Sequence, residues 1–450
     1  MSKTLLILES PAKARKVQGF LSSDYIVKAS VGHVRDLPEP KRMTDKEREK
    51  YGDYAIDTEN NFAPLFKNNP DKSKVIKDLK ASLAKCNELV LFTDDDAEGH
   101  SIAAHLIDVL KPTVPIYRAV SLEITEAGIN NGLKNKQLVD VKKRTPADFW
   151  GAAESAQTRA LWDRLYGYKS SPYVWRTIKP GTSSGRVQTP GLRLVVEREE
   201  KRLNFKSVSY YSVSGVFDGN QATLNEYKGQ RIATGKDFDD EGNVTPNRLI
   251  LTDDNIDEVL KDLNTKSYAV EGVDSKPYRR TPPAPFTTST ALQAIGNKTR
   301  LGSKQITGLL QRLYAEKGVI TYIRTVSVVA APEAITAARK TIEKTYGKAY
   351  LPPKARVYKD KKQDNSGHEC IRPVVKGQAA FAKYSGSDKR EQQVFDIIEK
   401  RMLASQSIDC TGTTWSFVAK AEGENTRFSG SETEIHELGW TKIYQDDSDN

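Results

Sequence analysis

The chain has 450 residues, 38% of them hydrophobic, which is longer than one ordinary domain and supplies apolar surface for about two to four packed cores. Lys plus Arg number 69 against 59 for Asp plus Glu, a net charge of +10 that favours a polyanionic partner such as nucleic acid. No apolar run approaches the roughly 20 residues of a membrane span and the start MSKTLLILES lacks a signal-peptide pattern, so an intracellular, cytoplasmic protein with no membrane partner is expected. Cys86, Cys370 and Cys410 stand too far apart for the paired spacing of a structural zinc site.

Residues 4–8 (TLLIL) read as a strand, followed by Glu9, Ser10 and Pro11 and the helical stretch AKARKVQGFL, which opens an α/β unit. The pattern recurs as a helix over 71–86, a strand over 88–93, an acidic turn, a helix from Glu98 to Leu110 and a strand over 115–120. Strands alternating with helices predict a mainly parallel sheet with functional groups at the carboxyl ends of its strands, where Glu9 and the acidic turn both lie. Residues 146–200 read as helices joined by the turn KPGTSSGR, and from 207 the stretch SVSYYSVSGVFDGNQATLNEY has the alternation of antiparallel strands. Residues 276–287 (KPYRRTPPAPFT) read as a proline-rich basic linker into a helical module from Thr288 to about 345. After Arg372 the chain is expected to be helical to about 404, then β-rich from TTWSFVAKA to WTKIY.

The turn DDDAEG (94–99) crowds carboxylates between a strand and a helix. Asp94, Asp96 and Glu98 alternate, so an extended turn would aim all three at one point, and hard oxygen donors of this kind suit Mg²⁺. A solvated helix start, its carboxylates complementing the helix dipole, is the other reading. With Glu9 at the end of another strand and Lys13 four residues on, the constellation resembles the Toprim domain. That resemblance implies that Glu9 faces Asp94 and Asp96 across a phosphodiester, with Glu9 in proton transfer or metal binding, Lys13 on the scissile phosphate, and Asp94, Asp96 and Glu98 on Mg²⁺. The segment ASVGHVRDLP (29–38) is similar to one in type IA DNA topoisomerases with a histidine near the active site, here His33. The chain departs from that family at Ala97, where Arg is usual, and at His100, where an acid is usual.

TPPAPFTTSTA (281–291), the amphipathic KQITGLLQRLYAEKG and then VITYIRT (319–325) resemble the type IA active-site segment, which other Toprim enzymes lack. The resemblance implies that Tyr322 attacks a DNA phosphorus to form a 5′-phosphotyrosine and a free 3′-hydroxyl, with Arg324 stabilising the phosphoryl charge. The ester retains the bond energy, so resealing needs no ATP. The family's acid after Thr325 is replaced by Val326. SGHECIRP (366–373) resembles the family's AHEAIRP, which makes His368 a proton relay or phosphate ligand. TRALWDRLYGYKSSPYVW and SSGRVQT are similar to the segments that line the family's single-strand groove, so Arg159, Asp163, Arg186 and Gln188 join His33 as expected DNA contacts; read alone, Arg159 and Asp163 are an ordinary i,i+4 pair.

The resemblance implies a multidomain α/β plus α and β fold, a toroid-like core with a β-rich arch. It is laid out as a Toprim domain over 1–145 with an insertion near 39–69, a helical DNA-binding domain over 146–204, the first part of the arch over 205–278, a helical tyrosine domain over 279–390 and a return to the arch over 391–450. The expected activity is ATP-independent relaxation of negatively supercoiled DNA. A Toprim-type metal-dependent nuclease and a DNA-binding relic of the fold are the alternatives. No GxxxxGK[ST] occurs, which argues against a P-loop ATPase. The family's FSEASL-like and GIGRPSTYA-like segments do not occur in these 450 residues, so a second polypeptide completing the core is expected.

Overall fold

The computed structural model describes residues 3–145, 149–360, 368–377 and 380–445; Ser366 and Gly367 of the histidine segment and the tail carboxylates Asp446, Asp447 and Asp449 lie outside them. The chain separates into two compact units, one of Met1–Arg186, Pro283–Ser407 and Trp440–Asn450, the other of Val187–Pro282 and Ile408–Gly439. Among the described residues no helix is long and apolar enough to cross a membrane.

The first unit opens with β1 (Thr4–Leu8), α1 (Pro11–Gln18) and β2 (Tyr25–Ala29), followed by α2 (Ser73–Leu83), β3 (Glu88–Leu91), α3 (Ala97–Leu110), β4 (Ile116–Arg118), β5 (Gln137–Leu138) and the long α4 (Phe149–Thr177). The sheet order is β2-β1-β3-β4-β5, parallel except where β5 joins β4. β1 and β3 are almost wholly apolar because helices cover both faces of a parallel sheet. Leu5, Ile7, Leu89 and Leu91 meet Ile102 and Leu106 of α3 in one core. Adjacency of β1 and β3 brings Glu9 and the acidic turn to the same sheet edge.

The second unit begins with α5 (Gln188–Asn204) and continues with β6 (Ser214–Phe217), β7 (Asn220–Tyr227), β8 (Gln230–Ile232), β9 (Arg248–Leu249), α6 (Ile256–Asn264) and β10 (Tyr268–Arg280). Regular strand pairing starts at Ser214 rather than at 207. The stretch 276–280, expected to be linker, is the end of β10. Pro277 pairs there with Thr413, which is possible because β10 is the edge of its sheet and a missing N–H is tolerated at an edge.

Back in the first unit come α7 (Thr288–Thr299), α8 (Ser303–Gln311), a π-helical turn at Arg312–Lys317, α9 (Pro332–Tyr346) and α10 (Lys389–Ser405). The helix expected directly after Arg372 is absent. Val375–Lys376 pairs antiparallel with Ala380–Phe381, and α10 starts only where Asp388 caps its amino terminus. Strands β11 (Cys410–Ala421) and β12 (Arg427–Glu437) return to the second unit and complete a sheet of order β9-β8-β7-β12-β11-β10, with β6 on β7. Ala222, Leu224, Val259, Leu263, Ala419 and Phe428 form its core. WTKIY is not a strand: Gly439–Lys442 is a 3₁₀ turn, and the three-residue step from Trp440 to Ile443 buries both.

Candidate active site

Glu9 follows β1 and Asp94 follows β3, and the Asp94 amide donates to Glu9 Oε1 at 2.9 Å. The turn closes tightly: a Cβ at Gly99 would lie 2.2 Å from the Asp94 carbonyl oxygen and 3.0 Å from Glu9 Oε1, so only glycine fits. Asp96 caps α3, accepting from the Gly99 amide at 2.7 Å. The helix begins at Ala97, and Glu98 in its first turn shares Arg324 Nη1 with Asp96. Among the described residues no group of three His, Cys, Asp or Glu stands in the arrangement of a metal site; Asp94 is paired with Lys13, and Asp96 and Glu98 with Arg324.

Tyr322 follows the π-helical turn, outside any helix or strand, and is 5% exposed. Its hydroxyl donates to Asp96 Oδ2 at 2.5 Å, and Arg324 Nη1 reaches Asp96 at 3.4 Å and Glu98 at 3.3 Å. Lys13, buried on α1, bonds Asp94 and lies 4.7 Å from the centre of the Tyr314 ring. Tyr314 in turn meets Tyr322 edge-on at 5.4 Å. Gly318 ends the π-helical turn at φ 59°, where a Cβ would strike Lys16 Nζ and come 2.9 Å from the Ile124 carbonyl. The tyrosine module thus approaches α1 and the loop after β4 with bare backbone.

Electrostatics follow from this crowding. Burial first, and then the charge of Asp94, push Glu9 up to about 7. Burial would raise Asp96 too, but the Tyr322 hydroxyl and the Gly99 amide outweigh it, leaving the carboxyl below its ordinary value. Tyr322 is raised by burial and by donating to Asp96. A carboxyl near 7 can take or return a proton at neutral pH. The donor chemistry also suits a hard divalent cation: Glu9, Asp94, Asp96 and Glu98 supply carboxylate oxygens, with Asp94 paired to Lys13 and Asp96 and Glu98 to Arg324.

His33, Arg159, Asp163, Arg186 and His368 lie in the first unit with this centre. His33 Nε2 is 3.5 Å from Glu98 Oε1, and a cavity of about 350 Å³ beside them is lined by His33, Glu98, Arg159 and Asp163. Asp163 does not pair with Arg159; it accepts from Arg186 Nε at 2.7 Å and Nη2 at 3.1 Å. The His368 ring stacks on Tyr322 with centres 6.1 Å apart, and its Nδ1 has no hydrogen-bond partner among the described residues. Gln188 opens α5 in the second unit.

Four neighbours fall outside the sequence-derived set: Arg118, Glu123, Tyr314 and Arg372. Arg118, 6% exposed, donates to the carbonyls of Thr93 at 2.8 Å and Asp94 at 2.7 Å, which places a buried cation under the acidic turn. An arginine in a buried strand was the available signal, since a charge there requires partners.

Two family models match the chain: DNA topoisomerase over residues 149–450 and the Toprim domain, a metal-binding domain generally dependent on Mg²⁺, over residues 4–124. The chain is similar to DNA topoisomerase 1 of Streptomyces coelicolor, 37% identical with 100% of this chain and 48% of that protein covered. It is also similar to DNA topoisomerase 1 of Synechococcus elongatus, 39% identical with 99% and 50% covered. The chain therefore spans about half the length of the curated relatives it matches. Among solved structures, full-length topoisomerase I from Thermotoga maritima superposes with a TM-score of 0.77 at 28% identity, covering 98% of this chain and 67% of that one.

Proposed function

Because the chain belongs to the type IA DNA topoisomerase family, a family that acts on DNA, we propose that it cuts and reseals one DNA strand through Tyr322 and so relaxes negatively supercoiled DNA without ATP. In the cleavage step the Tyr322 oxygen bonds to phosphorus and the bond from phosphorus to the 3′ oxygen breaks. The phenol proton leaves and the 3′ oxygen gains one, so a 5′-phosphotyrosine and a 3′-hydroxyl result; the reverse step reseals. The observation that carries this reading is the 2.5 Å bond from the Tyr322 hydroxyl to Asp96 with Arg324 on the same carboxylate, an arrangement that supports the tyrosine as nucleophile and the arginine as the cation for the phosphoryl group.

Glu9, near 7, is suited to the proton transfers, Lys13 and Arg324 to the phosphoryl oxygens, and His368 to relaying a proton or holding phosphate. Asp94, Asp96 and Glu98, with Glu9, would hold Mg²⁺, which would supply charge stabilisation at the phosphodiester. His33, Arg159, Asp163, Arg186 and Gln188 are proposed to contact the single strand. A cavity of about 1120 Å³ lined by Tyr54, Arg164, Tyr168 and Trp175 supports this, because aromatic and guanidinium faces accept unstacked bases.

The test is incubation of the purified chain with negatively supercoiled plasmid and Mg²⁺ without ATP, in parallel with Tyr322→Phe. Relaxation or a covalent 5′-linked complex that Y322F abolishes is expected. Cutting that survives in Y322F overturns the proposal in favour of a water-using nuclease. The same assay bears on the second polypeptide proposed to complete the core: processive relaxation by the 450 residues alone removes it, and tyrosine-dependent cleavage without relaxation supports it.

A further inference from the structure

Tyr322 lies in neither a helix nor a regular strand, and its neighbour Ile320 makes only an isolated bridge to Pro373. Its register must therefore come from what grips the segment. On one side the Tyr322 amide donates to the Leu122 carbonyl at 3.0 Å, in the loop after β4. On the other, the Thr321 amide donates to the Arg372 carbonyl at 2.9 Å, and the Arg372 amide donates to Thr321 Oγ1 at 3.0 Å. The two sides are joined by one side chain. Arg372, 0% exposed, donates from Nε to Glu369 at 2.8 Å and from Nη1 to the Pro373 carbonyl at 3.1 Å; its Nη2 forms ion pairs with Glu123 at 2.9 Å and Glu369 at 2.8 Å, and Glu369 is itself fixed by the Ala331 amide at 3.0 Å. Leu122 and Glu123, Arg372, and Thr321 and Tyr322 thus close a ring of contacts around the nucleophile.

A buried ion pair is a poor source of stability, because desolvation offsets most of the attraction, but separating it strands a buried charge, so the pair keeps the loop of Glu123 and the segment of Arg372 together. We propose that Arg372 and Glu123 form a latch that positions Tyr322 over the acidic turn, making both of them positioning residues for strand cleavage. This rests on Tyr322 being the nucleophile. Neither residue touches the reacting atoms, so the latch acts on the rate of the chemical step and not on DNA affinity.

The experiment compares single-turnover cleavage of a single-stranded oligonucleotide by wild type, Glu123→Gln, Glu123→Asp, Arg372→Lys and Tyr322→Phe, all with Mg²⁺. Glu123→Gln keeps the shape of the side chain and leaves Arg372 its bond to Glu369, so thermal melts are expected to move little. Its cleavage rate is expected to fall about tenfold or more, as small misplacements of a reacting group do, with oligonucleotide affinity within about twofold of wild type. Glu123→Asp, which keeps the charge, should recover part of the rate. Arg372→Lys, which keeps charge but loses the planar fork, should fall as Glu123→Gln does. A wild-type rate in folded Glu123→Gln or folded Arg372→Lys overturns the latch, as does a rate loss fully accounted for by weaker binding or a smaller folded fraction. Cleavage that persists in Tyr322→Phe removes the underlying assignment instead, so the two failures are distinguishable.

Discussion

Replacing Glu9 with Gln should stabilise the metal-free protein at alkaline pH, although Glu9 sits at the centre of the proposed site. Burial and the neighbouring Asp94 move its carboxyl from the ordinary 4.5 to about 7, so the folded state binds the proton more tightly than the unfolded state. Below about 4.5 both states hold the proton and Glu9 contributes nothing; as pH rises through 7 the folded state must carry an unwelcome charge and stability is lost. At about 1.4 kcal/mol for each tenfold difference in proton affinity, the penalty comes to about 1 kcal/mol at pH 5 and about 3 kcal/mol at pH 8. Gln is neutral at both, and its carbonyl can still accept from the Asp94 amide. Urea unfolding of wild type and Glu9→Gln, with chelator present, measures the difference. The variant should be more stable at both pH values, by about 2 kcal/mol more at pH 8 than at pH 5. An equal advantage at the two pH values, or a variant less stable at pH 8, would refute the reasoning.

Gly99→Ala should destabilise the first unit by about 2 kcal/mol or more, since its Cβ would meet the Asp94 carbonyl at 2.2 Å; an unchanged melting temperature would show that the turn can relax. Arg118→Met removes a buried guanidinium from the Thr93 and Asp94 carbonyls and should cost about 3 kcal/mol in urea unfolding. Arg159→Ala and Arg186→Ala should each lower the salt dependence of single-stranded DNA binding, by about 0.7 in the logarithmic slope for each phosphate that is no longer neutralised. Unchanged slopes in both would assign the groove to other residues.

Much of the site is legible in the sequence because it is built from strand ends. TLLIL and ELVLFT are recognisable as buried parallel strands, and the residue after each is carried to one sheet edge, so Glu9 and Asp94 meet as expected. Asp96 caps the helix that begins at Ala97, so Glu98 falls in the first helical turn, where Arg324 bridges it to Asp96. Pro277 misleads in a different way: proline signals a break, but an edge strand has one row of amides with no partner to lose. The buried cations are the least visible. Arg118 in PIYRAV is a charge in a buried strand and so needs partners, but only the structure shows that these are the carbonyls of Leu91, Thr93 and Asp94.

The second unit also has a mechanical consequence. β10, β11 and β12 form a ribbon in which Arg280 pairs with Cys410 and Thr411 with Glu437, so the chain breaks between units at 282/283, 407/408 and 439/440 all lie at one end of it. A force transmitted along this ribbon loads the inter-strand hydrogen bonds in shear, many at once, whereas a force across it would unzip them one at a time. With three of the four covalent connections gathered at one end, the ribbon can carry load along its strands as a single tether.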